Sequence, residues 1–290
     1  MDSVLNLGLS DVAVDALVTA GFNKRWVYDS YRRLLQMYGD VVAKLPKSEF
    51  EAEIAKAKER SGVKYDSELD ASTLKSLCDE FKGIYDAHGA TFEQDSMRQL
   101  ENAVVAVFES WNNPRAIEYR DIHRISNLLG TAVNVQQMVY GNFDENSGSG
   151  VCFTRNPADG SERIYGEFLI TAQGEDVVSG VRTPLGIDEM AGAFPGAIAG
   201  LRSVCSTLES DYKDMLDIEF TVEQGELFIL QCRVGKRTGA AAVRIATEMC
   251  AEGTITRDEA LTKVNPKILE QVLHPIFALD HADRTYAENV

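Results

Sequence analysis

The sequence predicts an α+β protein, and three observations carry that prediction. In the first third of the chain, apolar residues recur at three- and four-residue spacing, which is typical of amphipathic helices. Beyond Gly130 the period shortens to two, as in β-strands, and clusters of turn-forming residues separate the segments. From Thr238 the helical spacing returns. We therefore expect a helical subdomain over residues 1–93, a mixed or antiparallel sheet region over 94–236 and a helical linker over 237–290.

Helices account for the first part of the chain. Trp26, Tyr31, Leu34 and Tyr38 lie along one face of a helix, as expected for a segment that packs on a core. Glycines stand where left-handed C-caps are wanted, and prolines stand at predicted helix breaks and first turns. The predicted helices cover residues 11–21, 24–43, 48–61, 71–88, 95–111 and 114–123.

Strands are predicted in the second part of the chain, together with one helix through about 195–210. The segment Asn146–Gly150 leaves two alternatives open: its backbone N–H groups cover phosphates, or it is a flexible turn between two strands. After the sheet, a helix begins near Thr238, and Asn265-Pro266 opens a last short one. The predicted strands cover residues 131–140, 151–154, 163–171, 216–223 and 226–233.

Composition narrows the classes of partner. The formal net charge is −16 over 290 residues, so nucleic-acid phosphates and anionic membrane surfaces would repel the chain, and we expect neither as a partner. No apolar run approaches the roughly 18 residues of a transmembrane helix, and the first residues lack the pattern of a signal peptide. The five cysteines form no C-x-x-C pair, which favours free thiols in a reducing compartment. We expect an intracellular, cytoplasmic protein.

The segment 216–233 is the most informative for chemistry. Apolar and polar residues alternate along its first strand, so Asp217 and Glu219 share one face. In the second strand Gln231 and Arg233 are the polar residues. Hard oxygen ligands beside a planar cationic fork can hold Mg²⁺ and a polyphosphate together, whereas the alternative reading is a hairpin with a merely solvated outer face.

The parity of the polar positions constrains the hairpin turn. A two-residue loop at Gln224-Gly225 would pair odd with even positions and place Gln231 opposite to the face of Glu219. We therefore predict a three-residue connection, with Gly225 in the left-handed region and a bulge at its end. That geometry brings all four polar side chains to one surface.

Several runs of the chain resemble the pyruvate, phosphate dikinase family, in the same order along the sequence and over residues 1–278. The resemblance rests on these runs: Val4–Leu9, Asp29–Arg33, Gln36–Val42, Ser110–Asn113, Gly150–Pro157, Tyr165–Leu169, Ala172–Val178, Arg182–Pro184, Asp217–Phe220 and Gln231–Arg233. It implies an N-terminal nucleotide-binding domain of the ATP-grasp type, incomplete here, into which the helical subdomain 1–93 is inserted.

The resemblance also implies roles for individual residues. Asp217, Glu219 and Gln231 match the family's magnesium-binding residues, while Asp217 and Arg233 also match its nucleotide-binding residues. The run Gln137, Met138 and Val139 matches a hinge strand whose backbone reads the adenine edge of ATP. Glu167 and Glu175 match segments that face the nucleotide cleft. The implied substrate is ATP, with Mg²⁺ as cofactor.

Departures from the family limit the expected activity. The family's phosphate-gripping lysine and arginine, its phosphohistidine motif and its pyruvate-binding barrel have no counterpart in the 290 residues, so we expect no intact catalytic residue and little or no turnover alone. The missing phosphohistidine and pyruvate-binding domains would then act in trans. The alternative is a non-catalytic nucleotide-binding or protein-interaction module, and a homo-oligomer is a further expectation because an uncovered apolar face favours association.

Overall fold

A computed structural model describes residues 3–125, 130–180, 182–266 and 268. The chain divides into two compact units, Met1–Met138 and Val139–Val290. The expected α+β fold is confirmed, since helices form the first unit and a five-stranded sheet with helices forms the second. The three-part division at residues 93/94 and 236/237 stays a prediction.

The first unit is helical, as its apolar spacing predicted. Asn23, Asp70 and Asp95 cap three of the helices by accepting backbone N–H groups of the first turn. The third helix ends at Gly62, whose φ of +66° is the left-handed conformation that glycine adopts without strain. Within residues 3–125 the helices are α1 (Asp11–Thr19), α2 (Lys24–Val41), α3 (Lys47–Ser61), α4 (Ala71–Ala87), α5 (Ser96–Glu109) and α6 (Pro114–Ile122).

The core of this unit lies where α2, α3 and α4 meet. The rings of Phe50 and Phe81 pack edge to face with centroids 5.0 Å apart, and both side chains are fully buried. Gly39 of α2 makes this packing possible, because a Cβ there would lie 2.5 Å from Cζ of Phe50. A larger residue at position 39 would force α2 and α3 apart.

The second unit is built on an antiparallel sheet in the order β3-β2-β1-β4-β5. The strands are β1 (Gly148–Phe153), β2 (Tyr165–Ile170), β3 (Leu185–Gly186), β4 (Leu216–Glu223) and β5 (Glu226–Val234). The helices are α7 (Gly174–Val178), α8 (Met190–Ala193), α9 (Pro195–Tyr212), α10 (Gly239–Ala251) and α11 (Arg257–Lys263). The predicted helix at Asn265-Pro266 lies largely outside the described residues.

One face of this sheet is fully apolar and carries α8 and α9. Ile218 and Phe220 of β4 are buried there against Ile198 and Leu201 of α9. Because successive strand residues point to opposite faces, burial of the even-numbered residues leaves Asp217 and Glu219 on the other face. No helix in the described part of the chain is both long and apolar enough to cross a lipid bilayer.

One predicted strand is wrong. Residues 131–140 have the β-branched composition of a strand but lie outside any helix or strand. Extended residues become a strand only by pairing with a neighbour, and the five-stranded sheet contains no partner for them.

Candidate functional site

The polar face of the β4–β5 hairpin carries the residues singled out by the sequence. Asp217 lies directly opposite Arg233, and Glu219 lies directly opposite Gln231. Directly opposed residues of an antiparallel pair project to the same face with Cβ atoms about 5 Å apart. The predicted shared face of these four side chains is therefore confirmed, while their binding roles stay predictions.

The predicted three-residue connection is wrong, whereas the left-handed conformation predicted for Gly225 is confirmed. Glu223 pairs with Glu226, which leaves a two-residue turn at Gln224 and Gly225, with φ of +51° and +83°. A two-residue turn alone would place the polar residues of β5 on the face opposite to Glu219. They return to its face because Leu230 forms a bulge between the residues that pair with Glu219 and Phe220. The bulge was expected at the turn and lies instead in the middle of the ladder.

Arg233 is held in place by an ion pair across the ladder. Its Nε donates to Oδ2 of Asp217 at 2.8 Å, and the Asp217 side chain is only 14% exposed whereas that of Arg233 is 61% exposed. The hydrogen bond to Asp217, followed by the carboxylate charge, raises the pKa of Arg233 above its ordinary value. The guanidinium is thus a fixed positive charge whose remaining N–H groups face solvent.

The neighbouring pair, Glu219 and Gln231, is not held by a cross-strand ion pair. Within the described part of the chain, neither Glu219 nor Gln231 has a hydrogen bond or an ion pair with another side chain. Glu167 lies on the same face, because Val151 of β1 is directly opposite both Glu167 and Glu219. Two strand spacings of about 4.8 Å separate the two glutamates. Glu167 is exposed at the outer side of this polar row.

Helices bound the polar face at two places. On one side, Val177 of α7 packs against Val151 and Leu169, which belong to the polar face, so α7 and its half-buried Glu175 lie on the same side of the sheet as Glu219. On the other side, Phe153 packs against Ala241 and its neighbours in α10. The polar row therefore lies between two apolar contacts.

The donor set suits a magnesium ion that is already bound to phosphate. Among the described residues no group of three or more His, Cys, Asp or Glu is arranged to hold a metal ion. Asp217 and Glu219 supply carboxylates and Gln231 an amide oxygen, which is a partial set of hard ligands. Mg²⁺ commonly takes one or two carboxylates and completes its shell with phosphate oxygens and water, so these residues fit it.

The predicted adenine-reading segment lies at the boundary of the two units. Gln137 is exposed, Met138 and Val139 are half-buried, and none of the three belongs to a strand. The next residue is anchored: the backbone N–H of Tyr140 donates to Oε2 of Glu223 at 2.5 Å. The alternation along β4 places Glu223 on the face of Asp217 and Glu219, but its contact with the distant Tyr140 backbone cannot be read from the sequence.

The glycine-rich segment after Tyr140 is neither of the two expected forms. Gly148 and Gly150 belong to β1, and their backbones pair with β2 and β4 rather than facing a ligand. A Cβ at Gly150 would lie 2.4 Å from Cζ of Phe220. Asp144 accepts the hydroxyl of Ser147 at 2.7 Å and closes the preceding turn. These glycines are required for close strand packing.

A buried arginine at the end of β1 was not singled out by the sequence as a structural link. The Arg155 side chain is 2% exposed; its Nε donates to Glu209 of α9 at 2.9 Å and its Nη2 to Glu252 at 2.7 Å. Thr154 donates its hydroxyl to the same Glu209. Arg155 thus joins the end of β1 to two helices. The run Gly150–Pro157 supports the resemblance, but spacing alone does not reveal which carboxylates surround its arginine.

A protein-family match and individual relatives relate this chain to the same group of proteins. Residues 1–190 and 196–254 match the family described as "Pyruvate phosphate dikinase, AMP/ATP-binding domain". The chain is 50% identical to pyruvate, phosphate dikinase 1 of Arabidopsis thaliana, with 100% of this chain and 30% of the relative covered. It is also 50% identical to pyruvate, phosphate dikinase of Clostridium symbiosum, with 96% and 32% covered. The chain thus spans about a third of the length of these relatives.

Proposed function

Because this chain belongs to the pyruvate phosphate dikinase AMP/ATP-binding domain family, whose fold is ATP-grasp, we propose that its sheet region binds Mg²⁺-ATP. The observation that carries the proposal is the pairing of Asp217 with Arg233 and of Glu219 with Gln231 on one face. Two carboxylates, an amide and a guanidinium then converge within a few strand positions. A merely solvated face would not need a half-buried carboxylate aligned with an arginine.

Each residue has a distinct role in the proposed site. Asp217 and Glu219 hold the metal ion, with Gln231 as a neutral ligand, and the bound Mg²⁺ would neutralise phosphate charge. Arg233, oriented by Asp217, directs its free N–H groups to phosphate oxygens.

The adenine end involves a different part of the chain. The backbone of Gln137, Met138 and Val139 reads the adenine edge, and Glu167 and Glu175 border the cleft. In support, Glu167 shares the polar row with Glu219, and α7, which bears Glu175, packs on that side of the sheet. Backbone contacts suit adenine, because one edge of the base presents both a donor and an acceptor.

Calorimetric titration tests nucleotide binding directly. ATP is titrated into the full chain with excess Mg²⁺ and again with EDTA, and the proposal expects saturable binding that is much tighter with the metal ion. GTP serves as the matched ligand control, since its base edge has the opposite donor pattern. Absence of binding heat at any Mg²⁺ concentration would overturn the proposal.

We further propose that phosphoryl transfer requires polypeptide beyond these 290 residues. The relatives are pyruvate, phosphate dikinases about three times longer, and the polypeptide they contain beyond the matched third would supply the phosphohistidine and pyruvate-binding domains in trans. Exposed apolar side chains on α5 and α6, such as Phe108 and Ile122, suit such a partner. AMP formation from ATP, phosphate and pyruvate should be negligible for the chain alone. It should appear only when the segment of the Clostridium symbiosum relative that carries the phosphate-gripping lysine and arginine is added together with those two domains. Robust turnover by the chain alone would contradict this.

A further inference from the structure

Three hydrogen bonds tie the segment after Val139 to the turn of the β4–β5 hairpin. The N–H of Tyr140 donates to Oε2 of Glu223, the N–H of Gln224 donates to Oγ of Ser147 at 3.0 Å, and the N–H of Gly225 donates to the carbonyl of Asn146 at 2.8 Å. Only the first of these bonds uses a side chain of β4. The bond from Tyr140 therefore depends on the identity of residue 223.

Glu223 has a specific position relative to the candidate metal ligands. It belongs to the same strand and the same face as Glu219, four residues farther along β4. At about 3.4 Å per residue, the two positions lie about 14 Å apart. One strand thus carries the candidate metal ligands near its start and the anchor of Tyr140 at its end.

The surroundings of this contact hold the segment in place. Tyr140 is half-buried, and burial, followed by the charge of Glu223, raises the pKa of its phenol above the ordinary value. A backbone N–H bound to a charged acceptor forms a stronger hydrogen bond than one bound to a neutral acceptor. The position of Tyr140, and of the residue before it, is therefore coupled to β4 through one side chain.

We propose that Glu223 is a positioning residue that holds the adenine-reading segment in register with the metal-binding end of β4. This inference rests on the proposed function, because it takes Val139 and its two predecessors as the adenine contact. Glu223 would then act on the base end of the ligand without touching the phosphates. Loss of its carboxylate should weaken recognition of adenine and leave binding of a base-free polyphosphate unchanged.

The test compares two ligands and three variants of the full chain. Dissociation constants for Mg²⁺-ATP and for Mg²⁺-tripolyphosphate are measured by calorimetry for the wild type, Glu223→Ala, Glu223→Gln and Glu226→Ala. Glu226 is the matched control, because it is the pairing partner of Glu223 at the same turn, carries the same charge and is exposed. Hydrogen exchange at the Tyr140 amide, measured without ligand, reports whether the anchor has been lost.

We expect Glu223→Ala to raise the dissociation constant for ATP about five- to tenfold and that for tripolyphosphate less than about twofold. The glutamine variant keeps an acceptor oxygen and should recover most of the ATP affinity, whereas Glu226→Ala should match the wild type for both ligands. The Tyr140 amide should exchange faster only in Glu223→Ala. Equal weakening of both ligands, or no weakening of ATP, would overturn the inference. If the wild type binds neither ligand, the proposed function itself fails, and this inference fails with it.

Discussion

Arg233 donates from Nε to Oδ2 of Asp217 at 2.8 Å, directly across the β4–β5 ladder, although the two residues are separated by a turn and a bulge. The pair is asymmetric, because the carboxylate is shielded and the guanidinium is exposed. An exposed ion pair adds at most about 1 kcal/mol to stability. The arrangement is therefore better explained by orientation of Arg233 than by stabilisation of the hairpin.

Replacing the candidate metal ligands should change the metal dependence of nucleotide binding. Asp217→Asn and Glu219→Gln remove one negative charge each while keeping shape. We expect the dissociation constant for ATP in excess Mg²⁺ to rise about tenfold or more, because a hard anionic ligand is lost. In EDTA Glu219→Gln should bind ATP no more weakly than the wild type, since a carboxylate without metal repels phosphate. Asp217→Asn should bind ATP somewhat more weakly even in EDTA, because it weakens the ion pair that orients Arg233.

Calorimetry at a series of Mg²⁺ concentrations measures this difference, with Glu226→Gln as the control on the same hairpin. Glu226 loses the same charge but lies at the exposed turn. Variants of Asp217 and Glu219 that retain wild-type magnesium dependence would remove this face as the metal site.

Substitution of Arg155 should strongly destabilise the sheet unit. Its fork binds Glu252 through Nη1 at 3.1 Å and Nη2 at 2.7 Å while Nε binds Glu209. Arg155→Leu removes the cation from Glu209, whose side chain is 15% exposed, and from Glu252, which is exposed, so we expect a loss of about 1.5–3 kcal/mol in the free energy of unfolding. Arg155→Lys should recover only part of it, because one ammonium cannot reproduce three directed bonds.

Urea denaturation followed by circular dichroism gives these free energies. Arg202→Ala is the control, since this arginine is exposed on α9 and its removal should change stability little. Equal stability of the Arg155→Leu variant and the wild type would show that the buried cluster is not the link between β1 and the helices.

Alanine at position 150 should be poorly tolerated for steric reasons. The added Cβ would lie 2.4 Å from Cζ of Phe220 and 2.8 Å from the carbonyl oxygen of Glu167. We expect Gly150→Ala to cost about 1–3 kcal/mol, because the rigid backbone leaves the ring no room to move. Gly196→Ala in α9 meets nothing within 4 Å and should be neutral or slightly stabilising. Thermal unfolding distinguishes the two, and an unchanged melting temperature for Gly150→Ala would contradict the packing argument.

The hairpin turn offers a stabilising substitution. Gln224 has a φ of +51°, a conformation in which asparagine is less strained than glutamine, and Gly225 follows at +83°. Gln224→Asn should therefore raise the free energy of unfolding by about 0.5 kcal/mol. Gly225→Ala, which introduces a Cβ at positive φ, should lower it. A lower melting temperature for Gln224→Asn would show that the glutamine side chain makes a needed contact.

Acid should weaken the helical unit through Asp29. Burial alone would raise the pKa of this carboxyl, but the charges of Arg33 and Arg32 outweigh burial and hold the pKa well below its ordinary value. The unfolded chain, with a pKa of about 3.9, therefore binds the proton more readily than the folded chain. The stabilisation is complete above about pH 4 and is lost progressively as the pH falls below it.

Unfolding free energies of the wild type and Asp29→Asn, measured from pH 7 to pH 2.5, test this dependence. At pH 7 the asparagine variant should be less stable by about 3 kcal/mol, because two arginines lose their buried partner. The difference should shrink below pH 4. Asp86→Asn, at an exposed position of α4, is the control. If the difference in unfolding free energy between the wild type and Asp29→Asn is constant with pH, protonation of Asp29 is not its cause.

How far the sequence predicts this molecule depends on whether the signal is local. The apolar spacing of α2 and α4 and the alternation in β4 are properties of short segments, and they located these elements to within a few residues. The sharing of a face by Asp217 and Glu219 follows from the same alternation. The strand predicted over residues 131–140 is wrong because a strand-like composition does not supply a pairing partner.

What the tertiary structure alone decided is which distant backbones and charges meet. Glu219 and Gln231 can share a face only if one extra residue lies in the connection between them, and the alternation of polar residues already requires this. Only the packed sheet shows that the extra residue is Leu230 and not a residue of the turn. The need for glycine at position 150 comes from the ring of Phe220 on a neighbouring strand. The hydrogen bond of Glu223 reaches a backbone N–H that is 83 positions away in the chain. Side-chain periodicity is set by local backbone geometry, whereas these contacts form only when separate segments are packed against each other.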